Sequence, residues 1–242
     1  NYFGFGTDKD IELTPNHLVI KHSAFPISSL HKSEPGYDPK HSIPAAKVLG
    51  RFRNRKHQFR PASIVNLSAM SYGSLSATAV ESINRGCGQA DCLHNTGEGG
   101  ISPFHMKGGK LIWQLGTGYF GARADDGGFC EEKFKATLEQ AEGMVKAIEI
   151  KFSQGAKPGL GGMLPGPKVT PEIARIRGIP IGKDCASPAF HSAFSNADEM
   201  LDFVERLADL SGLPIGIKSA VGEMSFWDEL IALMGSGNRA VD

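Results

Sequence analysis

The sequence predicts an α/β protein built on parallel strands, a (β/α)8 TIM-type barrel of which about six of the eight strands are present. Two observations carry the prediction. From Ile64 onward, short apolar runs alternate with stretches of helical period at short spacing, the pattern of repeated βαβ units. Within "AIEIKF" (Ala147–Phe152), Glu149 and Lys151 share one face, opposite Ile148, Ile150 and Phe152. A charged pair is hard to place under a helix layer, whereas a barrel interior can hold opposite charges paired. A doubly wound sheet would satisfy the first observation; the second favours the barrel.

The elements follow in order. Residues 1–60, with Pro15, Pro26, Pro35, Pro39 and Pro44, are expected to form an irregular segment packed on the barrel, with one short strand at Leu18–Ile20. Residues 61–242 form the barrel itself. "IVNLSAM" (Ile64–Met70) reads as its first strand, followed by a helix over Ala77–Asn84 with Ala79, Val80 and Ile83 on one side. "CLHN" (Cys92–Asn95) and "LIWQL" (Leu111–Leu115) are the next two strands. Phe134, Leu138, Ala141 and Val145 recur at helical spacing, and Ala147–Phe152 is the fourth strand. Thr170 before Pro171 is an N-cap with proline in the first helical position. Ile181–Cys185 reads as a fifth strand. Ser195 caps the next helix, with Asp198 three residues on. Met200, Phe203, Val204, Leu207 and Leu210 form that helix's apolar face, and Gly212 ends it. "PIGIK" (Pro214–Lys218) is the sixth strand, and Ser225 caps a final helix through Met234.

Lys plus Arg and Asp plus Glu number 26 each, so the formal net charge is zero. That balance argues against nucleic acid or an anionic membrane as partner, because both need a basic face. The local cluster Arg51, Arg53, Arg55, Lys56 and Arg60 reads as a solvated connecting segment. Cys87, Cys92, Cys130 and Cys185 have no zinc-ligand spacing, so no metal site is expected and the thiols read as reduced. No apolar run reaches the ~18–20 residues of a membrane span, and the start lacks a signal-peptide pattern. A soluble, cytoplasmic protein is expected.

The loops after the strands are rich in glycine and polar side chains: "SAMSYGSLS" (Ser68–Ser76), "NTGEGG" (Asn95–Gly100), "WQLGTGYFG" (Trp113–Gly121) and "QGAKPGLGGMLPGPK" (Gln154–Lys168), with Lys218 ending the sixth strand. In a barrel all fall on the C-terminal rim, where active sites sit. Glycine there lets main-chain N–H groups approach a flat or anionic ligand. "GLGG" is neither a P-loop nor a dinucleotide fingerprint. Singly, Glu98, Lys157 and Lys218 would read as solvated charges, and His94 and His191 are assigned no catalytic task. The signal is their convergence on one rim.

Taken together, "SAMSYGSLS", "NTGEGG", "QGAKPGLGGMLPGPKVTPEIA" and "SPAFHSAF" resemble the FMN-binding synthase domain of the glutamate synthase family, above all its stand-alone bacterial branch. The resemblance covers nearly the whole chain from about residue 60. It implies an FMN-dependent oxidoreductase that reduces an imino or 2-oxo acid to an amino acid, in glutamate biosynthesis and ammonia assimilation. It further implies that the main chain of Ala69, Met70 and Ser71 lies against the flavin ring. Thr96, Gln114, Gln154 and Lys157 would line the flavin pocket, and Lys218 would face the ring's pyrimidine edge. Glu98, Gly162 and Met163 would border the substrate, with Glu98 and Lys218 as the catalytic residues. The implied partners are the small acid itself and a separate glutaminase or electron-donor subunit.

The chain departs from the family pattern at several points. Where the family reads "KPGEGGQLPG", this chain reads "KPGLGGMLPG", so Leu160 and Met163 replace a carboxylate and an amide. A methionine cannot replace an amide's hydrogen bonds to a substrate, which points away from 2-oxoglutarate. A related amino-acid synthase, such as one making N-methylglutamate, is therefore the alternative. The sequence carries no amino-terminal cysteine for a glutaminase, and the family's iron–sulfur cluster is not encoded in this chain. Strands seven and eight, with the loops that hold the flavin phosphate, are expected to be absent. A non-catalytic fragment lacking the phosphate site is the remaining alternative.

Overall fold

The computed structural model describes residues 47–152 and 160–242. The expected strand Leu18–Ile20 lies outside them. At the centre is a parallel sheet of β1 (Leu93–Asn95), β2 (Lys110–Leu115), β3 (Val145–Lys151) and β6 (Ile215–Lys218), hydrogen-bonded in that order. The fold is therefore mixed α/β on a parallel sheet.

Alternation along the strands decides which residues meet the helices. Leu111, Trp113 and Leu115 of β2, Ile148 and Ile150 of β3 and Ile215 of β6 form one buried core. Against them pack Phe134 of α2 (Glu131–Gln140), Leu230 of α5 (Met224–Ser236), and Met200, Leu201, Val204 and Leu207 of α4 (Ala197–Ser211). Trp113 stacks on Phe134 with ring centroids 5.2 Å apart. Each such side chain taken from water contributes about 1.5–3 kcal/mol, so this face holds the sheet to its helices.

Helix α1 (Ala77–Ala90) begins at Ser76, whose hydroxyl accepts from Ala79 N at 3.2 Å, and buries Val80, Asn84 and Cys87. It runs six residues beyond the expected Asn84. Helix α3 (Pro171–Arg177) is capped by Thr170 as expected, and ends at Gly178 in the left-handed conformation. Helix α4 ends at Gly212, also left-handed (φ 71°), as its sequence predicted. No helix among the described residues is long and apolar enough to cross a membrane.

Several expected elements differ. The run Ile64–Met70 forms no regular ladder with β1: it meets that strand at an isolated parallel bridge, Leu67 to His94, and at one further main-chain bond from Met70 N to Asn95 O. Asn66 interrupts the ladder, because its side-chain oxygen takes the Leu93 N–H at 2.8 Å, and Ile64 and Val65 are exposed. The helical stripe from Phe134 stops at Gln140: Glu142 and Gly143 both take positive φ, turning the chain so that Val145 opens β3. Ile181–Cys185 is no fifth sheet strand. Gly182 sits at φ 70°, and only Cys185–Ala186 (β5) pairs, antiparallel to Met163–Leu164 (β4), so β3 pairs directly with β6. The cap of α4 is Asn196, not Ser195; Ser195 instead gives its N–H and hydroxyl to Glu199. Helix α5 starts at Met224, so Ser225 lies inside its first turn.

The basic segment is not simply solvated. Arg53 and Arg55 both pair with Glu205 of α4, and Arg55, itself buried, also donates to Asp242 at 2.9 Å. All four cysteines are unpaired thiols.

Candidate active site

Strand register assembles a polar row on the sheet face turned away from the helices. Gln114 stands opposite Glu149, Glu149 opposite Gly216, and Lys151 opposite Lys218. Asn95 shares the face, two residues out of step with Gln114. Glu149 Oε1 accepts from Asn95 Nδ2 at 2.9 Å and from Gln114 Nε2. Asn95 Oδ1 in turn accepts from Gly97 N at 3.0 Å, which fixes the start of the NTGEGG loop. Buried amides need partners, and one carboxylate oxygen serves two of them. Lys218 has no ion-pair partner among the described residues.

The loop after β1 brings Glu98 to Lys151, with Oε1 3.4 Å from the ammonium. Gly116 is required beside it, because a Cβ there would stand 2.5 Å from Glu98 Oε2. Arg177, the last residue of α3, completes this charged group. It is buried, donates to Tyr72 O at 3.2 Å and lies 5.1 Å over the Phe120 ring. Burial holds the Arg177 pKa below the ordinary guanidinium value, with Cys185 and Glu98 acting in the opposite sense. Sequence reasoning missed Arg177, since an arginine in a last helical turn normally serves the helix dipole in water.

Leu160 joins Glu98, Thr117 and Lys151 around a small cavity of about 10 Å³, room for roughly one water. Met163 is exposed on β4, and Gly162 O accepts from Ser187 N at 2.8 Å. Gly161 allows a close approach within the chain itself: a Cβ there would fall 1.8 Å from Ser187 O.

The Ala69–Ser71 stretch is half-buried and held at Met70, whose N–H donates to Asn95 O at 3.0 Å and whose carbonyl meets His105 Nε2 at 2.9 Å. The Thr96 hydroxyl is taken up within the protein, donating to Gly97 O and accepting from Gln114 N. His191 bridges Tyr119 OH and Lys151 O, a post between β3 and its neighbouring loops. Gln154 and Lys157 lie outside the described residues.

A family model described as the conserved region in glutamate synthase matches residues 44–230. The chain belongs to the glutamate synthase family. It is 42% identical over 200 residues to the glutamate synthase large subunit-like protein YerD of Bacillus subtilis (strain 168), covering 81% of this chain and 37% of that protein. It is 37% identical over 160 residues to the archaeal-type glutamate synthase (NADPH) of Thermotoga maritima, covering 64% of this chain and 28% of that one. The archaeal glutamate synthase (NADPH) of Archaeoglobus fulgidus is 31% identical over 239 residues, covering 90% of this chain and 42% of the relative. The chain thus spans less than half the length of these relatives of the glutamate synthase family.

Proposed function

We propose that the full-length protein is an FMN-dependent oxidoreductase of the glutamate synthase type, its parallel sheet part of a (β/α)8 barrel. It reduces an imino or 2-oxo acid to the amino acid. The observation that carries this reading is the row Asn95–Gln114–Glu149, with Lys218 at its edge unpaired among the described residues. A sheet covered by helices on one face and lined with interlinked polar groups on the other suits a barrel interior. Asp242 N donates to Ile215 O at 2.9 Å, so Asp242 lies on the side of β6 away from β3.

The residues fit a flavin ring. Gln114 gives its N–H to Glu149 and keeps its amide oxygen for a ring N–H. The Met70–Ser71 main chain offers a donor, and the Lys218 ammonium would hold negative charge at the pyrimidine edge. Gln154 and Lys157 complete the proposed pocket. Bound FMN would supply the hydride or electron transfer. Lys151 and Arg177 suit the carboxylate of the acid, and Glu98 suits a proton held at its imine nitrogen. Leu160 and Met163 offer only apolar contact to the far end of the acid, with Gly162 as the main-chain wall. In the cytoplasm, ammonia and electrons would come from a glutaminase or electron-donor partner, or from other parts of the protein.

Titration of FMN fluorescence with the full-length protein tests the reading. Quenching with micromolar affinity is expected, weakened about tenfold, or ~1.4 kcal/mol, in Lys218→Met. A wild-type protein that leaves FMN fluorescence unchanged would overturn it.

A further inference from the structure

His105 is a buried side chain outside the row of polar groups, and its hydrogen bonds define its tautomer. The Ser102 N–H, which can only donate, points at Nδ1 from 3.1 Å, so Nδ1 accepts. The proton of the neutral ring is then on Nε2, which donates to Met70 O at 2.9 Å. Burial holds the His105 pKa below its ordinary value, which keeps the ring in this neutral form. The His94 ring packs 5.2 Å away, and Ser102 Oγ lies 2.8 Å from Nδ1, so the imidazole is fixed on two sides.

The consequence passes through one peptide unit. No cis peptide occurs among the described residues, so the Met70 carbonyl and the Ser71 N–H point in opposite directions. With the carbonyl turned to His105, the Ser71 N–H faces away from it, and it finds no acceptor among the described residues. Gly97 packs against this unit without a side chain: at φ 66°, a Cβ at residue 97 would stand 2.8 Å from Ser71 N and block it. A carbonyl that accepts a hydrogen bond polarises its own peptide, and chained hydrogen bonds strengthen one another by about 10–30%.

We propose that His105 is a positioning residue for the flavin: by holding the Met70 carbonyl it presents the Ser71 N–H, oriented and polarised, to an acceptor atom of the isoalloxazine ring. This rests on the flavin reading above. A donor at a ring acceptor stabilises the negative charge of the reduced flavin, so His105 raises the midpoint potential without touching the ring.

The test uses the full-length protein with FMN. In His105→Phe the equilibrium constant for two-electron reduction of bound FMN falls about three- to tenfold, up to about 30 mV. The visible absorption of the bound flavin shifts with it. His105→Gln, which retains an N–H for Met70 O, restores much of both. Because His105→Phe removes a buried hydrogen-bonding ring, a second measurement on the wild type stands apart from its folding. Hydrogen exchange at the Ser71 amide is expected to slow on FMN addition. Unchanged potential and spectrum in a folded His105→Phe, or unchanged Ser71 exchange on FMN binding, overturns the role of His105 and leaves the flavin reading intact. Failure of the wild type to bind FMN removes both.

Discussion

Gln114 and Glu149 stand opposite each other on adjacent parallel strands, amide donating to carboxylate on the face that the helices leave uncovered. The same carboxylate oxygen also accepts from Asn95, so a single side chain satisfies two amides, both on buried residues. Glu149→Leu therefore strands two donors, at roughly 1–3 kcal/mol each. We expect a loss of about 2–4 kcal/mol in urea unfolding, against about 1 kcal/mol for Glu149→Gln, which keeps an acceptor oxygen. Equal losses in the two variants would show that charge, not hydrogen-bond count, sets the value of this residue.

Gly161 is expected to be intolerant of any side chain. A methyl group there would overlap the carbonyl oxygens of Ser187 and Pro188, at 1.8 and 2.6 Å, and both belong to main chain. Gly161→Ala must push the β4–β5 ribbon apart, at about 1–3 kcal/mol. Limited proteolysis should show faster cleavage near Ser187 than in the wild type. Unaltered cleavage would mean that the two segments separate easily.

These residues also show what a sequence exposes and what it hides. Helix α4 was legible because its apolar spacing and Gly212 are local signals, and the structure reproduces both. Glu149 was legible as a charge facing away from the apolar side of its strand. Its partners were not, since the pairing of Gln114 with Glu149 depends on inter-strand register, which no local pattern encodes. Ile64–Met70 carries β-forming residues yet lies at the sheet edge with Ile64 and Val65 in solvent, because the Asn66 side chain displaces main-chain pairing. Arg177 was hidden for a different reason. Its burial comes from Phe120 and Tyr72, 57 and 105 residues away in the chain.

Two glycines of α1 make a matched pair. Gly86 has open space around the position of a Cβ, whereas a Cβ on Gly88 would meet Gly108 main chain at 3.0 Å. Gly86→Ala should stabilise the protein by about 0.5–1 kcal/mol, through the entropy that glycine loses on entering a helix. Gly88→Ala should lose that gain to the contact with residue 108. Thermal melts of the two variants compare them directly, and a stabilising Gly88→Ala would show that the residue 108 turn yields without cost.

Acid should destabilise the protein before its carboxylates titrate. Desolvation lowers the pKa of His94 from 6.5 to about 4, and His105 and His191 are lowered by burial as well. In the unfolded chain these rings take up protons near pH 6.5, so between about pH 6.5 and 4 the unfolded state binds more protons than the folded one. The contribution of neutral His94 is thus complete above pH 6.5 and lost progressively as pH falls toward 4. Its surroundings enforce this: Asn84 Nδ2 donates to Nδ1 at 3.3 Å, Nε2 is buried without a hydrogen-bond partner among the described residues, and the His105 ring lies beside it. Urea midpoints measured from pH 7.5 down to pH 4.5 should fall, and His94→Gln, which does not titrate, should show a shallower fall from a lower starting stability. An equal slope in that variant would assign the acid sensitivity to other groups.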